Sequence, residues 1–467
     1  MRNVLQPVNR LPPEILSSIA RYCLDEDARD ARSIVPLTHV CQYWRWSIAS
    51  APENWTLISS SKAELAALSL ERAKAARLDV TLNLPQLTPG IGAFSLTTHT
   101  QNIDTLTVYN IPSAQELIEA LPNFPRSTPN LRSLTLHRAY ANARWESADP
   151  FESIPPTLKC LSLFNIPLYP SLSNLRALTD ITLRYHRFDL YLDTLLAFLE
   201  NNRSLKNATL DIRFTEPAFR ISRRRTVVIN RLQHLSISCN NPVNAQALLS
   251  NIALQKGAHL KISSLDQATG LNDILSDIPT THHLSNLPSP TFMEYESYPR
   301  DIRLLGPNGS FSFACLPSLA TPFAEFPLFS FSNIREFRLK HRAPERLRSS
   351  LSPTLVFQSQ SFPALEALSI DSDADLSTFL STLLSNPSSS PSLRTLGFLN
   401  CVVTGYFMEK LTTFSSNRKK TTAAWLHRVA IVDKDGGFPN AASIRELGRH
   451  VSVVDVWFGT KLPADLA

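Results

Sequence analysis

Four times in this chain a proline is followed two residues later by Leu-x-x-Leu-x-apolar. The four are Pro129 with Leu131, Leu134 and Leu136; Pro156 with Leu158, Leu161 and Leu163; Pro363 with Leu365, Leu368 and Ile370; and Pro391 with Leu393, Leu396 and Phe398. One such unit cannot bury its own apolar face. It must stack on a copy of itself, so the phrase predicts a repeat array, an architecture suited to binding.

Candidate strand cores extend the pattern: Val80–Leu82, Leu106–Val108, Leu134–Leu136, Leu161–Leu163, Ile181–Leu183, Ala208–Leu210, Leu235–Ile237 and Leu260–Ile262, then Phe337–Leu339, Leu368–Ile370, Leu396–Phe398, Val429–Ile431 and Val454–Val456. Most spacings are 20 to 33 residues, which fits a unit of one strand plus one helix or irregular segment. Helices show in the gaps. Ser113-Ala114-Gln115-Glu116 is a capping box ahead of Leu117 and Leu121. Leu192, Leu195, Leu196 and Leu199 form a helical face, as do Leu376, Phe379, Leu380, Leu383 and Leu384. Alternation of the two element types predicts parallel strands along one side and helices along the other. Regularity fails between residues 265 and 333, a proline-rich stretch with the turn Gly306-Pro307-Asn308-Gly309. It reads as an irregular repeat, an ordered insertion or a mobile loop.

A chain of 467 residues exceeds one ordinary core. Its 43% apolar content supplies a large interior, and its 18% charged content suits a core-rich repeat protein. A net charge of +6 is weak for a nucleic-acid binder of this size. The densest basic runs, Arg223-Arg224-Arg225 and Arg418-Lys419-Lys420, are short and read as solvated loops. The cysteines 23, 41, 160, 239, 315 and 401 are far apart, with no CxxC and no zinc spacing, and read as buried thiols in a reducing compartment. Met1 to Pro7 lacks an apolar core, so no signal peptide is expected, and no apolar run is long enough for a membrane span.

The first 58 residues differ from the rest. Pro12 and Pro13 suit a first helical turn and Glu14 complements the helix dipole. Ile15, Leu16, Ile19 and Cys23 follow as one apolar stripe. Asp25-Glu26-Asp27 reads as a solvated break. A second helix is predicted from Pro36 to Ser50, with Leu37, Val40, Cys41, Trp44 and Ile48 on one face, and Trp55 to Ile58 as extended chain. Lys62 to Ala76, rich in alanine and leucine, predicts a linking helix within 59–77.

Leu11-Pro12-x-Glu14-Ile15-Leu16-x-x-Ile19, with Leu37-x-x-Val40-Cys41-x-x-Trp44 and the running text through Asn54-Trp55, resembles the F-box of mushroom-type fungal proteins. The segment 78–460 in turn resembles the degenerate leucine-rich repeats that often follow F-boxes, without most of the asparagine ladder of the strictest repeats. The resemblance implies an α/β chain: a three-helix F-box over 1–58, then an irregular leucine-rich-repeat solenoid with a parallel strand face. It implies binding to a Skp-type adaptor and through it to a cullin–RING ubiquitin ligase. By motif position Leu11, Pro12, Ile15, Leu16, Ile19, Val40, Cys41 and Trp44 would form the adaptor surface or its immediate support. The chain departs from the pattern twice: Tyr22 and Cys23 replace a large apolar pair, and Gln42 stands where a basic residue is common.

In each Leu-x-x-Leu-x-Leu phrase the leucines point inward, and alternation sends their neighbours to the open face. The expected exposed set runs from Thr107 and Tyr109 to Ser369 and Asp371. Tyr109, His137, Phe164, Arg184, Asp211 and Lys340 are the candidate target-binding residues, with the aromatics and Arg184 as anchors. No chemistry-bearing motif accompanies them. Glycine is scarce, 12 in all, and GxGxxG, GxxxxGK[ST] and GxSxG are absent. His282-His283 has no acidic neighbours, and Asp371-x-Asp373-x-Asp375 lacks the glycine and glutamate of a calcium loop. The expectation is a non-enzyme without cofactor or metal, cytoplasmic or nuclear, that recognises an unknown protein substrate for an SCF-type ligase. The alternatives are a repeat scaffold without ubiquitin transfer and, less favoured, a nucleic-acid-binding repeat protein.

Overall fold

The computed structural model describes residues 10–23, 31–84, 98–120, 128–138, 149, 151, 155–185, 192–212, 226–239, 242–255, 257–264, 290–297, 300–306, 309–315, 331–341, 362–372, 376–385, 390–421, 425–433 and 440–458. The chain forms two compact units, Met1–Ala218 with Ile229–Leu232, and Phe219–Val228 with Gln233–Ala467. Met1 to Pro7, the acidic break at Asp25–Asp27, Leu121, Arg223–Arg225, His282-His283, Asp373 and Asp375 lie outside the described residues.

The first unit opens with a small helical module. Helix α1 (Pro13–Tyr22) starts on its two prolines, and the N–H groups of Ile15 and Leu16 donate to the Pro12 carbonyl at 3.0 and 3.2 Å. Its buried face is Leu16, Ser17 and Ala20 rather than the whole Ile15–Cys23 stripe. A polar network sets that face: the Ser17 hydroxyl donates to Asn54 Oδ1 (2.9 Å), and Asn54 Nδ2 donates to the Ile48 carbonyl (3.2 Å). The predicted second helix is broken into α2 (Val35–Thr38) and α3 (Gln42–Ser50), with Cys41 extended between them at φ −159°. Two hydrogen bonds stop α2. The Thr38 hydroxyl donates to the Val35 carbonyl (2.7 Å), and Arg45 Nε donates to the Thr38 carbonyl (3.0 Å). Trp55, expected in extended chain, ends a 3-10 turn (Pro52–Trp55). It is buried, donates from Nε1 to the Ile48 carbonyl (3.0 Å), and carries the Arg72 guanidinium 4.4 Å over its ring. Arg72 belongs to α4 (Ala63–Ala73), which forms where the alanine-rich segment predicts a helix.

Strand β1 (Leu57–Ser59) lies between this module and α4 and pairs in parallel with β2 (Leu78–Asn83). From there β3 (Ile103–Ile111), β4 (Ser133–Arg138), β5 (Cys160–Phe164), β6 (Asp180–Tyr185) and β7 (Asn207–Ile212) add one after another, all parallel. The leucines of each phrase stand in register and are buried: Val80, Leu106, Leu134, Leu161, Ile181 and Ala208 in one file, and Leu82, Val108, Leu136, Leu163, Leu183 and Leu210 in the next. Helix α5 (Ala114–Ala120) is capped as its motif predicts, with the Glu116 N–H on the Ser113 hydroxyl at 3.1 Å. Helix α6 (Leu192–Asn201) buries Leu195, Leu196, Phe198 and Leu199.

The second unit repeats the plan with one interruption. The division between the units falls within β8 (Val227–Ile229), and the second unit holds β9 (His234–Cys239), helix α7 (Pro242–Leu249), β10 (Ile252–Leu254) and β11 (His259–Ser264), with β9 and β11 parallel. The chain then leaves sequential order. Strands β12 (Phe292–Ser297), β13 (Arg300–Gly306) and β14 (Gly309–Cys315) form an antiparallel meander inside the sheet, in the spatial order β11, β14, β13, β12 and then β15 (Glu336–His341). The irregular stretch 265–333 therefore carries sheet in its described part, and the wall is parallel except at β13. After β15 the parallel order resumes through β16 (Ala367–Ser372), helix α8 (Ser377–Ser385), β17 (Thr395–Cys401), helix α9 (Gly405–Thr421), β18 (Arg428–Asp433), helix α10 (Ala441–Gly448) and β19 (Val453–Phe458). Every strand core predicted from the phrase lies inside one of these strands. Among the described residues no helix is long and apolar enough to cross a membrane.

Candidate protein-binding face

Opposite the leucine files, each of strands β2 to β7 sends three side chains to the other face and β1 two, and the register aligns them in rows. The middle row is hydroxyl throughout: Ser59, Thr81, Thr107, Thr135, Ser162, Thr182 and Thr209. Thr107, expected exposed, is 1% exposed and closed off between its neighbours. The row toward the strand N-termini includes Cys160, Asp180 and Asn207. Asp180 accepts from the Thr179 hydroxyl (2.6 Å), from Asn207 Nδ2 and from the Cys160 thiol (3.7 Å). Burial works to raise its pKa, but these hydrogen bonds, with Lys206 nearby, outweigh it and hold the carboxyl below its ordinary value. Burial first, and the adjacent Asp180 charge second, push the Cys160 thiol up.

The third row contains the predicted anchors, and the fold stacks them. Tyr109 and His137 lie 4.5 Å apart between ring centroids at 25°, and His137 and Phe164 lie 3.8 Å apart at 12°. The Arg184 guanidinium sits 5.4 Å over the Phe164 ring. Asp211 follows next in register. The three rings are half-buried and Arg184 is exposed. The result is a continuous ridge of π systems with a cation at one end, an arrangement that offers apolar edge and charge together.

Backbone geometry sets one end of this ridge. β3 is bulged between Val108 and Ile111, with Asn110 in the left-handed region at φ 56°. The bulge aims Tyr109 toward His137, and Asn110 Nδ2 donates to Asn83 Oδ1 at 3.0 Å. Asn165 (φ 57°) follows Phe164, and Asn400 (φ 53°) follows Leu399 at a second bulge. Asn400 Nδ2 donates to Asp371 Oδ1 at 2.9 Å, so Asp371, expected exposed, is 9% exposed. These three asparagines escaped the sequence reading. The signal was present in Leu-x-apolar-apolar-Asn: Leu106 to Asn110, Leu161 to Asn165, and Leu396 to Asn400.

Lys340 does not join the ridge. It belongs to the second unit, where its ammonium is ion-paired to Glu294 of β12, a strand the leucine phrase does not reveal. Arg338 beside it pairs with Glu336 (2.9 Å) and lies 5.3 Å over the Phe292 ring. That part of the second unit is internally neutralised.

The adaptor candidates divide by burial. Leu16 is 0% and Trp44 7% exposed, so both are core of the helical module rather than its surface. Ile15 (46%), Val40 (49%) and Pro12 are exposed, and Leu11, Ile19 and Cys41 are half-buried. Trp46, off the predicted stripe, is 61% exposed.

The basic run at 418–420 also divides. Arg418 is buried in α9 and donates to the carbonyls of Ser390, Pro391 and Leu393, each at 3.0 Å. It fastens the turn ahead of β17 and is not part of a solvated loop. Lys419 donates to the Arg449 carbonyl (3.0 Å) and lies 5.5 Å from the Trp425 ring. Among the described residues no three His, Cys, Asp or Glu side chains gather as a metal site.

No family model matches the chain, and no curated protein matches it. Among solved structures, a leucine-rich repeat protein of Leptospira interrogans aligns over 88% of this chain and 94% of its own, at 14% identity and a TM-score of 0.33. A likeness of that degree carries no functional argument. The repeat architecture rests on the parallel strands and their buried leucine files.

Proposed function

We propose that this chain is a non-catalytic recognition subunit of an SCF-type ubiquitin ligase. The helical module would bind a Skp-type adaptor, and the open face of the first unit would hold a protein target. The observation that carries target binding is the stacked Tyr109–His137–Phe164 ridge ending in Arg184. Aromatic and arginine side chains dominate binding energy at protein interfaces, and here the sheet has already ordered them, so less entropy is lost on association. The adaptor half is supported by the F-box resemblance and by the exposure of Pro12, Ile15 and Val40. The chain itself would contribute proximity, and the ligase's other subunits the chemistry.

Burial decides the test. Leu16→Ala or Trp44→Ala would remove module core at about 2–5 kcal/mol and confound binding with unfolding. Ile15→Asp with Val40→Asp leaves the core intact. The expected outcome is at least tenfold weaker capture by purified adaptor, with unchanged circular dichroism. Undiminished capture by this double variant would sink the adaptor assignment. A scaffold lacking a ligase role would use the same ridge, and in-vitro ubiquitylation of a captured target separates the two.

A further inference from the structure

In the first unit a single residue stands just before each of β4 to β7, and Asp104, second in β3, holds the matching rung. Backbone hydrogen bonds put these leading residues on successive rungs: Arg132 N–H donates to the Asp104 carbonyl (2.8 Å), Lys159 to Arg132 (2.8 Å), Thr179 to Lys159 (2.8 Å) and Lys206 to Thr179 (2.7 Å). Arg77 holds the corresponding place before β2. The side chains of neighbours meet: Arg77 Nη1 and Arg132 Nε each lie 3.5 Å from Asp104 Oδ1. Arg77, Arg132, Lys159 and Lys206 are exposed, as are Arg176 and Arg203 in the turns before β6 and β7.

The second unit fills the same places differently. There Arg335, Glu366, Arg394 and His427 follow one another by backbone bonds of 2.7, 2.8 and 2.7 Å, with a carboxylate between the two arginines. Among the described residues these places form no comparable run of cations. The chain's net charge is only +6, so the basic rim is a local property of the first unit and not a reflection of overall composition.

We infer that this rim docks an extended acidic segment of the target protein. The inference takes the target-binding half of the proposed function as given and names the target's chemistry. From β2 to β7 is a distance of about 24 Å at ~4.8 Å per strand step, the length of about seven residues of extended chain. Carboxylates along such a segment meet guanidinium and ammonium groups with matching charge. Asp104 decides against nucleic acid. A phosphate backbone is charged at every step and would meet that carboxylate with like charge, whereas a peptide can set a neutral or basic residue there.

The test is fluorescence anisotropy of the full chain with a labelled peptide of about ten residues alternating Glu and Ala, at low salt, without adaptor or ligase. The peptide should bind, and binding should weaken as salt rises. Arg132→Glu with Lys159→Glu should lower affinity at least tenfold, and the milder Arg132→Gln with Lys159→Gln should lower it measurably where charge reversal disturbs the fold. Arg335→Gln with Arg394→Gln, exposed at the corresponding places of the second unit, should leave peptide affinity unchanged. Three outcomes overturn the inference: equal binding by the charge-reversed variant, tighter binding of a single-stranded oligonucleotide of matching length, or binding of a phosphoserine peptide where the glutamate peptide fails. Adaptor capture is measured separately and uses none of these residues, so its failure and the failure of peptide binding remain distinguishable.

Discussion

At the scale of single residues, the side chains that matter most are those whose charge is buried. Arg418 reads as one member of a short basic run, and composition gives no reason to separate it from Lys419 and Lys420. The fold separates them by sealing its guanidinium against three carbonyls of the 390–393 turn. Burial lowers its pKa from the ordinary guanidinium value, and Nη1 and Nη2 donate to those three carbonyls. Replacing it by Met would leave buried carbonyls without donors, and unfolding in urea should show a loss of about 3 kcal/mol. Lys at this site cannot span three acceptors and should not restore the loss.

Cys160 supplies a second prediction at this scale. Its raised thiol pKa keeps the thiolate scarce at neutral pH, so alkylation followed by mass spectrometry should label exposed Cys23 well before Cys160. The neighbouring Asp180 sets the pH behaviour. A depressed carboxyl stabilises above its unfolded-state pKa, and that stabilisation is lost as pH falls through the folded value. Asp180→Asn should therefore flatten the acid limb of the stability curve and leave the alkaline limb alone.

At the scale of elements, the legible parts of the fold were those that repeat a side-chain pattern. Leu134 and Leu136, or Leu161 and Leu163, declare a strand because each apolar file must be shared with the next rung. Strands β12 to β14 declare nothing of the kind. Phe292-Met293-Glu294-Tyr295-Glu296 has no leading Leu-x-x-Leu, and its neighbours approach from a meander rather than a crossover, so proline content dominates any reading of that region. The helix break at Cys41 was hidden for a related reason: Leu37, Val40, Cys41, Trp44 and Ile48 keep helical spacing across it, while the hydrogen bonds of Thr38 and Arg45 that end α2 leave no trace in hydrophobic periodicity.

The bulge asparagines are backbone features, and they can be tested as such. Asn110 holds φ 56°, where a β-branched residue is strained by about 1–2 kcal/mol. Asn110→Val should lower the free energy of unfolding in urea by that amount, with a lower midpoint, and weaken target capture, because Tyr109 loses its aim toward His137. Asn110→Gly tolerates the backbone and should keep most of both. If Val and Gly behave alike, the left-handed turn is not what places Tyr109.

At the scale of the whole molecule, the boundary between the helical module and the repeats is a shared structure. The resemblance to an F-box suggests a module ending near residue 58, joined by a linking helix over 59–77 to the array that begins at residue 78. In the fold, Leu57, Ile58 and Ser59 pair with Asp79, Val80 and Thr81, so the first rung of the sheet is made from the end of that module. Trp55 is held between the Ile48 carbonyl and Arg72 of the linking helix. Removing residues 1–62 would therefore strip the first strand from the sheet and uncover β2. An uncovered strand edge offers unpaired N–H and C=O groups to other chains. The truncated chain should be less stable and should aggregate on concentration, visible by light scattering. The Ile15→Asp, Val40→Asp chain should stay within about 0.5–1 kcal/mol of the parent, because both side chains already face solvent. Loss of target binding in the truncation would then report damage to the wall, and only the double variant isolates the role of the helical surface. If the truncated chain is as stable and monodisperse as the parent, β1 is dispensable and the two parts are independent after all.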